Sequence, residues 1–392
     1  MGSTREDFGM KKVNVAILGT SFMGRAHSNG WNQVKKFFSP EVEPVLKVAC
    51  GRDPERTKEF ADNWGWEETA DNWEEVIQRD DIDIVDISLP QHLHHKAAIA
   101  AAKAGKHIFC EKPMALELSK AEEMMDAIQN YDKVHYINHN YRRLPAVQLA
   151  KKMIEAGQIG RIFHWRGAYQ QDWVVDPNFP LTWHLQKELS GSGAMGDLNS
   201  HSVDLAHFLV GDIKSVSALT TTFIKERPLP GKGAATFSKG AVSEEKGEVT
   251  VDDASMMLVE FENGAVGSFE ATRFATGRRN HNTFEIYGSK GSLVFDLERM
   301  NEIQFYNNED PEGQQGFRTI LATDPSHAYM KHWWPTAHNI GYEHSFVHAM
   351  TDFLDAIGTD GKIEPDFNDG IKVMRVLDAS LRSAESGQRV YL

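Results

Sequence analysis

A lysine between a glutamate and a proline stands where an apolar run ends, at Glu111-Lys112-Pro113. Residues 106–110 are predicted to form a short buried strand, which proline stops because it has no amide hydrogen to donate. Folds that alternate strands with helices place their ligands at the carboxyl ends of the strands. An amine there can hold an oxygen and stabilise the charge that develops on it. Lys112 is therefore a candidate catalytic residue.

A second candidate pair lies in a glycine-rich stretch, where Asp197 and His201 are four residues apart. This spacing predicts that both side chains share one face of a helix that runs on through Leu209. Alcohol oxidation by hydride transfer requires a group that takes the hydroxyl proton, and imidazole suits this task because its pKa lies near neutrality. His201 is predicted to be this base, and Asp197 is expected to bind a neighbouring hydroxyl or to orient His201. The alternative is an acidic residue favoured by the helix dipole beside an incidental histidine.

A loop of the dinucleotide-binding type runs from Gly19 to Gly24, after a predicted strand at residues 13–18. In such loops the first glycine makes the turn and the last lets helix pack on strand, while amides at the helix start hold the pyrophosphate. Ser21 replaces the middle glycine. The second strand ends at Gly51, where an acid that binds the ribose is expected, and Arg52 follows. Arg52 could stack on adenine or pair with a 2′-phosphate, and Asp53 could instead reach the ribose, so the sequence leaves both NAD and NADP open.

Aromatic side chains alternate with hydrogen-bonding ones in residues 169–173, 183–184 and 333–344. This mixture favours a sugar pocket, since the C–H faces of a sugar stack on rings while its hydroxyls need donors and acceptors. Three histidines at positions 92, 94 and 95 have no cysteine or carboxylate set beside them, so no metal is expected. One of them is predicted to line the cofactor cleft instead, with Pro90 shaping the turn.

Bulk properties narrow the class of protein. A net charge of −14 over 392 residues, without a basic run, argues against a nucleic-acid partner. No apolar stretch approaches the roughly 20 residues that cross a bilayer, so no membrane partner is expected. Residues 1–9 lack the apolar core of a secretory signal and are interpreted as a leader before a natural start at Met10. The expected compartment is the cytoplasm.

The order of predicted elements indicates two domains. Strands alternate with helices up to about residue 138, which predicts a parallel sheet with right-handed crossovers. Longer alternating strands follow, with a hairpin turn at Asn263-Gly264. The expected fold class is α/β: a Rossmann domain with a doubly wound parallel sheet (10–138), then an α+β domain with a large open, mainly antiparallel sheet (139–392). Residues 225–248, rich in Gly, Lys, Glu and Ser, are predicted to form a mobile arm.

These motifs together resemble the Gfo/Idh/MocA oxidoreductases. The resemblance rests on residues 19–27, Glu111-Lys112-Pro113, Asn140-Tyr141-Arg142-Arg143 and residues 193–201, and it covers nearly the whole chain from Val13. It implies that Lys112, Asp197 and His201 contact substrate as the catalytic set. It also implies that Glu111 and Pro113 line the nicotinamide side, while Asn140 and Arg143 border the cofactor cleft. Ser21 and Gly51 depart from the family pattern and affect cofactor choice rather than cofactor binding.

The resulting set of predicted site residues is larger than the catalytic three. The predicted cofactor-binding residues are Gly19, Thr20, Ser21, Phe22, Met23, Gly24, Arg52, Leu89, Pro90, His94, Glu111, Lys112, Asn140 and Arg143. The predicted substrate-binding residues are Lys112, Tyr141, Gln171, Asp172, Trp183, Asp197, His201 and Tyr342.

The resemblance is strongest to sugar-oxidising members such as the glycoside 3-dehydrogenases. It implies an NAD(P)-dependent enzyme, with NAD slightly preferred, that oxidises a secondary ring hydroxyl of a sugar or glycoside, at C3, to a keto sugar. The alternative is an NAD-dependent glycosidase that uses transient oxidation and elimination. Family members also commonly pair their open sheets, so a homo-oligomer through the C-terminal sheet is expected.

Overall fold

The computed structural model describes residues 10–231 and 242–392, so the interpretation of residues 1–9 as a leader lies outside the described residues. The N-terminal sheet contains six strands: β1 (Lys12–Leu18), β2 (Glu43–Cys50), β3 (Glu68–Ala70), β4 (Ile84–Ile87), β5 (His107–Cys110) and β6 (His135–Ile137). All pair in parallel, in the order β3-β2-β1-β4-β5-β6. The chain order reverses beside β1, which is where doubly wound sheets bind their ligands.

Helices cover both faces of this sheet. They are α1 (Phe22–Phe37), α2 (Pro54–Trp64), α3 (Trp73–Ile77), α4 (His94–Lys103) and α5 (Leu118–Ala127). Alternate residues of β1 show the arrangement, because Val15 and Ile17 join one apolar cluster while Ala16 and Leu18 join another. Burial on both faces explains why this strand is a continuous apolar run.

The C-terminal half is built on a nine-stranded sheet. Its strands are β7 (Ile162–Gln170), β8 (Ile213–Thr221), β11 (Ala254–Phe261), β12 (Val266–Thr272), β13 (His281–Gly288), β14 (Gly291–Asp296), β15 (Glu302–Asn307), β16 (Arg318–Leu321) and β17 (Val390–Tyr391). The order is β16-β15-β14-β13-β7-β12-β11-β8-β17, antiparallel except for the parallel pair β7 and β12. A separate hairpin pairs β9 (Glu226–Pro230) with β10 (Val242–Glu248).

The remaining helices are α6 (Pro145–Glu155), α7 (Lys187–Ser190), α8 (Ala194–Asp197), α9 (Asn199–Leu209), α10 (His344–Gly358) and α11 (Phe367–Ser386). Helices α9 and α11 share one apolar cluster with the nine-stranded sheet, where Met257 and Val259 of β11 are buried. The alternate residues of the same strand, Met256 and Leu258, are exposed. Period-2 alternation thus leaves the opposite face of this sheet open.

Two predicted elements differ from the structure. The helix expected from the glycine-rich stretch through Leu209 is interrupted at Leu198, so Asp197 ends α8 and His201 belongs to α9. Asp252 causes the separate start of α8, because its carboxylate accepts hydrogen bonds from the amides of Gly193 (2.7 Å) and Met195 (2.8 Å). The predicted arm at 225–248 includes the two strands of the β9–β10 hairpin. Its remaining part, residues 232–241, lies outside the described residues.

Within the described ranges, no helix combines the length and the apolar character needed to cross a bilayer.

Candidate active site

A cleft of about 550 Å³ lies at the carboxyl ends of β1, β4 and β5, and α8 and α9 form its other side. Most of the predicted site residues line it. From the cofactor set these are Gly19, Ser21, Phe22, Met23, Leu89, Pro90, His94, Glu111, Lys112 and Asn140. From the substrate set they are Lys112, Tyr141, Gln171, Trp183, Asp197, His201 and Tyr342. The two separate sequence regions that carry Lys112 and His201 therefore face one cavity.

The glycine loop has the close backbone contacts that a dinucleotide cradle needs. A Cβ on Gly19, whose φ is +108°, would lie 2.4 Å from the carbonyl oxygen of Ser88, and a Cβ on Gly24 would lie 2.2 Å from that of Gly19. Both distances are far below van der Waals contact, so only glycine fits. Ser21 is the N-cap of α1, but its side chain does not cap the helix. The amides at the start of α1 are thus left to a ligand, which fits a pyrophosphate.

The structure explains why the second strand is followed by Gly51 and not by an acidic residue that could bind the ribose. A Cβ on Gly51 would lie 2.5 Å from Thr57 Oγ1 and 2.9 Å from Thr20 Oγ1, so these threonines fill the space of a longer side chain. Asp53 is the N-cap of α2 and accepts from the amide of Arg56 at 3.2 Å. Arg52 is exposed beside them.

Five of the predicted cofactor- and substrate-binding residues do not line the cleft, namely Thr20, Gly24, Arg52, Arg143 and Asp172, and neither does Pro113. Thr20 and Gly24 belong to the glycine loop, where Gly24 packs against Gly19 and Thr20 Oγ1 lies beside Gly51. Arg143 is buried and pairs with Asp352 at 3.1 Å, so its guanidinium is used within the core. Asp172 accepts from the amide of Gly277 at 3.0 Å and pairs with Arg279.

The aromatic segment at 333–344 contributes less to the cleft than its composition indicates. Trp333 packs against Phe37 at 4.4 Å between ring centroids and donates to His348 Nε2 at 2.7 Å. Neither it nor Trp334 lines the cleft, whereas Tyr342 does. A buried indole needs a partner for its N–H, and here an imidazole of α10 supplies it.

Lys112 and Asp197 form an ion pair across the cleft. Lys112 Nζ donates to Asp197 Oδ1 at 3.0 Å and to the backbone carbonyl of Asp197 at 3.1 Å. The other carboxylate oxygen, Oδ2, accepts from Arg273 at 2.8 Å. Burial raises the pKa of Asp197, but the two cations outweigh burial and hold this pKa far below its usual range. The three side chains together carry a net charge of +1.

Arg273 was not predicted from the sequence. It follows β12 directly, is fully buried, and also donates to the carbonyl of His184 at 3.2 Å. It lies 76 residues from Asp197 in sequence. The two are brought together because Asp252 and Asp253, which directly precede β11, bond to α8 and to the neighbouring strands. Strand pairing of this kind gives no local signal in the sequence.

His201 is held as a neutral imidazole. Burial, with added repulsion from Lys112 and His139, lowers the pKa of His201 well below its ordinary value. Its Nδ1 is buried and has no hydrogen-bond partner among the described residues, so Nε2 is the nitrogen left for a substrate. The ring of Tyr141 packs against the imidazole at 4.5 Å. A neutral, fixed imidazole can accept a proton.

A chain of hydrogen bonds lines the wall beside His201. The hydroxyls of Tyr141 and Tyr169 lie 3.0 Å apart, and Tyr169 donates to Asn280 Oδ1 at 2.7 Å. Gln171 Nε2 donates to the same oxygen at 2.9 Å, and Trp173 Nε1 donates to Gln171 Oε1 at 2.8 Å. Asn280 was also missed, because it stands in a polar loop before β13 with no motif around it. The wall offers several donors and acceptors beside aromatic rings.

The outer part of this wall is supported by a small apolar core of its own. The core packs the segment that carries Trp173 and Trp183 against the β9–β10 hairpin, and its members are Val174, Phe179, Leu181, Leu185, Val249 and Val251. Arg227 of β9 is fully buried beneath the segment. Its guanidinium donates to the carbonyls of Val174 at 2.5 Å and Asp176 at 2.8 Å. The hairpin thus supports the segment between the two indoles, and Trp173 itself packs against this core.

Sequence comparison decides the family. Residues 13–139 match the oxidoreductase family with an NAD-binding Rossmann fold, and residues 147–294 match the GFO/IDH/MocA C-terminal domain. Levoglucosan dehydrogenase of Pseudarthrobacter phenanthrenivorans is 46% identical over 378 residues, which cover 96% of this chain and 97% of that protein. The chain belongs to the Gfo/Idh/MocA family. The family resemblance noted from the motifs is confirmed.

Solved structures of relatives share the fold of this chain. Levoglucosan dehydrogenase in complex with NADH and levoglucosan superposes with a TM-score of 0.92 at 44% identity, covering 97% of this chain and 99% of that chain. An NAD-binding oxidoreductase from Klebsiella pneumoniae gives 0.89 at 34% identity, with 97% and 99% covered. The predicted fold class is confirmed. This Gfo/Idh/MocA protein is an NAD-binding oxidoreductase of the sugar-dehydrogenase type.

The lowered pKa of His201 gives this family member a testable pH profile. At pH 6, a histidine of ordinary pKa would be roughly three-quarters protonated and lost as a base. His201 should stay neutral there, and so should His184 in the same cleft, whose pKa burial lowers to about 3. The kcat for sugar oxidation at saturating NAD and sugar should therefore not fall between pH 8 and pH 6. An acid limb with its midpoint between pH 6 and 7 would contradict the neutral imidazole.

Proposed function

We propose that the protein oxidises a secondary ring hydroxyl, at C3, of a sugar or glycoside of the levoglucosan kind, giving a keto sugar and NADH. The observation that carries the proposal is the convergence of Lys112, Asp197 and His201 in the cleft that begins at the glycine loop. The similarity to levoglucosan dehydrogenase supports the choice of substrate class. Residues 10–138 would bind the dinucleotide and residues 139–392 the sugar.

Each catalytic side chain has a role that follows from its charge. His201 Nε2 takes the proton of the reacting hydroxyl, since the imidazole enters the reaction neutral. Lys112 Nζ donates a hydrogen bond to the same oxygen and stabilises the negative charge that develops on it. Asp197 holds Lys112 in position and accepts from a neighbouring sugar hydroxyl. The loop from Gly19 to Gly24 would hold NAD, which would supply the acceptor for the hydride.

The net charge of the cluster favours oxidation of an uncharged alcohol. Lys112 and Arg273 carry two positive charges and Asp197 carries one negative charge, so one positive charge remains for an alkoxide-like oxygen. A charge fixed in a buried site acts through a lower effective dielectric than in water. The wall of Tyr169, Asn280 and Gln171 supplies polar partners for the remaining hydroxyls of the ring.

The experiment begins with the nicotinamide nucleotide. Purified protein is denatured to identify any released nucleotide, and a panel of free sugars, anhydrosugars and glycosides is then screened with NAD and NADP for absorbance of the reduced cofactor. NADH that appears in step with a 3-keto product, located by NMR, supports the proposal. Release of the aglycone from a glycoside without net NADH would instead identify a glycosidase. Oxidation of a hydroxyl other than the one at C3 would contradict the proposed position but would leave the proposed sugar oxidation in place.

We also propose that copies of this chain assemble through the open face of the nine-stranded sheet. Leu219, Met256 and Leu258 lie on neighbouring strands of this face and are 63%, 54% and 64% exposed. They border a shallow depression of about 480 Å³. Fully burying such side chains stabilises an interface by about 1.5–3 kcal/mol each. The depression is also lined by Arg166, Glu270 and Glu285. A second copy of the same face offers both apolar side chains and charges of opposite sign, so it is the simplest complementary surface.

The oligomer proposal predicts the effect of one surface charge. Leu258→Lys should shift the protein to smaller species in sedimentation velocity, because it would bury a charge at the interface. Leu381→Lys is the control, since Leu381 is also exposed but belongs to α11, a helix whose buried residues pack on the other face of the sheet. A wild-type protein that sediments as a monomer at micromolar concentration would contradict this proposal.

A further inference from the structure

His27 stands three residues after the glycine loop, on helix α1, and is fully buried. Its Nδ1 lies 2.7 Å from Asp86 Oδ1, and its Nε2 lies 2.9 Å from Glu111 Oε1. Asp86 belongs to β4 and Glu111 directly follows β5, so one imidazole joins two strand ends beneath the cleft. The proposed chemistry assigns no role to this residue.

We propose that His27 is a doubly protonated imidazolium that positions Glu111, and through it Lys112, for catalysis. The role of Lys112 in this inference rests on the proposed function, whereas the charge on His27 does not.

The charge follows from the geometry of the three side chains. A neutral imidazole carries one N–H, so one of its nitrogens would present a lone pair to a carboxylate oxygen less than 3 Å away. The two buried carboxylates would then carry two negative charges with no cation between them, which is costly. An imidazolium donates to both and reduces the net charge to −1. The remaining possibility is a neutral His27 beside one protonated carboxyl group.

The surroundings of His27 favour the charged form. Asp86 Oδ2 accepts from Trp31 Nε1 at 2.7 Å, Asp86 Oδ1 accepts from Ser88 Oγ at 3.2 Å, and Glu111 Oε1 accepts from Asn138 Nδ2 at 2.6 Å. Ser88 Oγ also lies 3.1 Å from His27 Nδ1 and Asn138 Nδ2 lies 3.3 Å from His27 Nε2, but each of these nitrogens is closer to its carboxylate oxygen, at 2.7 Å and 2.9 Å. Donation to a carboxylate stabilises its ionised form. The rings of Phe109 and Phe346, each 5.4 Å from the imidazole, bring no charge. Among the described residues, Asp86 and Glu111 are the charged groups that contact His27.

The pKa values follow the same direction. Burial lowers the pKa of His27, but Asp86 and Glu111 outweigh it and raise this pKa to about 10. Burial raises the pKa of Glu111, and His27 with Asn138 brings it below its ordinary value. His94 is a useful contrast, since its ring nitrogens face the neutral carbonyls of Pro113 and Leu89, and burial lowers its pKa.

Glu111 connects this imidazolium to the catalytic lysine. Its second oxygen, Oε2, accepts from the backbone amide of Lys112 at 3.2 Å, and its own amide donates to the carbonyl of Ile87 at 3.0 Å. With both oxygens bonded, the Glu111 side chain has one conformation and fixes the backbone from which Lys112 extends. Without the N–H of His27, Glu111 Oε1 would keep one of its two hydrogen-bond donors, the amide of Asn138.

Nitrogen-15 NMR of histidine-labelled protein tests the charge directly. At pH 8 the wild type should show a doubly protonated imidazole whose resonance is absent from His27→Gln. This resonance should persist to about pH 10, and Asp86→Asn should lower the pH at which it titrates. If no doubly protonated resonance at pH 8 is removed by His27→Gln or shifted by Asp86→Asn, His27 is neutral and the inference is overturned. Because Asp86→Asn also assigns the resonance, the test does not depend on the folding of His27→Gln.

Kinetics test the positioning. His27→Gln should lower kcat about tenfold, since small displacements of a catalytic group are costly, with the KM for sugar and the Kd for NADH within about twofold of wild type. His27→Gln with Asp86→Asn restores the net charge of −1 and should recover the Tm but not kcat. If His27→Gln lowered the Tm and left kcat unchanged, His27 would have a role in stability alone, and its proposed role in positioning Lys112 would be overturned.

The proposed function has a separate test. If Lys112→Ala retained full kcat, the proposed function would fail, but the NMR result on the charge of His27 would still stand.

Discussion

Lys112→Ala should lower kcat for sugar oxidation at least a hundredfold while the affinity for NADH changes little. The lysine amine is the donor best placed to stabilise the developing alkoxide, and the loss of one such donor costs about two to three orders of magnitude in rate. Without it, Asp197 keeps only Arg273 as a cation. Steady-state rates with the sugar found in the screen measure kcat, and NADH fluorescence titration measures cofactor affinity.

Lys120→Ala is the matched control for Lys112→Ala. Lys120 is an exposed lysine of α5 whose ion pair with Glu123 lies on the surface, so its removal should leave kcat unchanged. Lys112→Ala with wild-type kcat would remove the lysine from the mechanism. A variant that lost NADH binding as well would instead assign Lys112 mainly to the cofactor site.

His201→Asn should lower kcat by two to four orders of magnitude at pH 7, the usual contribution of a positioned general base. Asparagine keeps a polar side chain of similar reach but cannot take the hydroxyl proton. The remaining rate should rise steadily with pH up to about 9, because hydroxide then replaces the missing base. Full pH–rate profiles of the wild type and the variant provide the measurement.

The control for His201→Asn lies on the same helix. His207→Asn removes a histidine of α9 that does not line the cleft, so kcat should stay within about threefold of wild type. A His201→Asn variant with a large loss of kcat and no rise of the residual rate with pH would mean that His201 binds the sugar without accepting its proton.

The parts of the site that follow a strand end were predictable from the sequence. Gly19, Glu111 and Lys112 stand directly after apolar runs that must be buried strands, so their positions at the sheet edge follow from alternation and from proline. His201 was predictable because it follows a glycine-rich stretch and stands four residues after Asp197, which is helical spacing. The separate start of α8 was not, since it depends on Asp252, a carboxylate 59 residues after Gly193, whose amide it accepts from.

Arg273 and Asn280 show what single-sequence reasoning leaves out. Each reaches the cleft only because strands distant in sequence pair in a particular register, and neither has a distinctive neighbour. Arg143 shows the opposite case: the family motif predicts an arginine at the cofactor cleft, whereas the structure pairs its guanidinium with Asp352 of α10. The charge of an arginine is visible in a sequence, but the identity of its partner is not.

The hairpin that supports the tryptophan wall has an evolutionary consequence. Arg227 and the small apolar core hold the segment between Trp173 and Trp183, and Trp173 packs against this core. Arg273 couples this wall to the catalytic set, because its guanidinium lies 5.4 Å from the centre of the Trp173 ring and also donates to Asp197. Mutations of the hairpin that change which molecules are admitted would therefore be selected together with their effect on turnover.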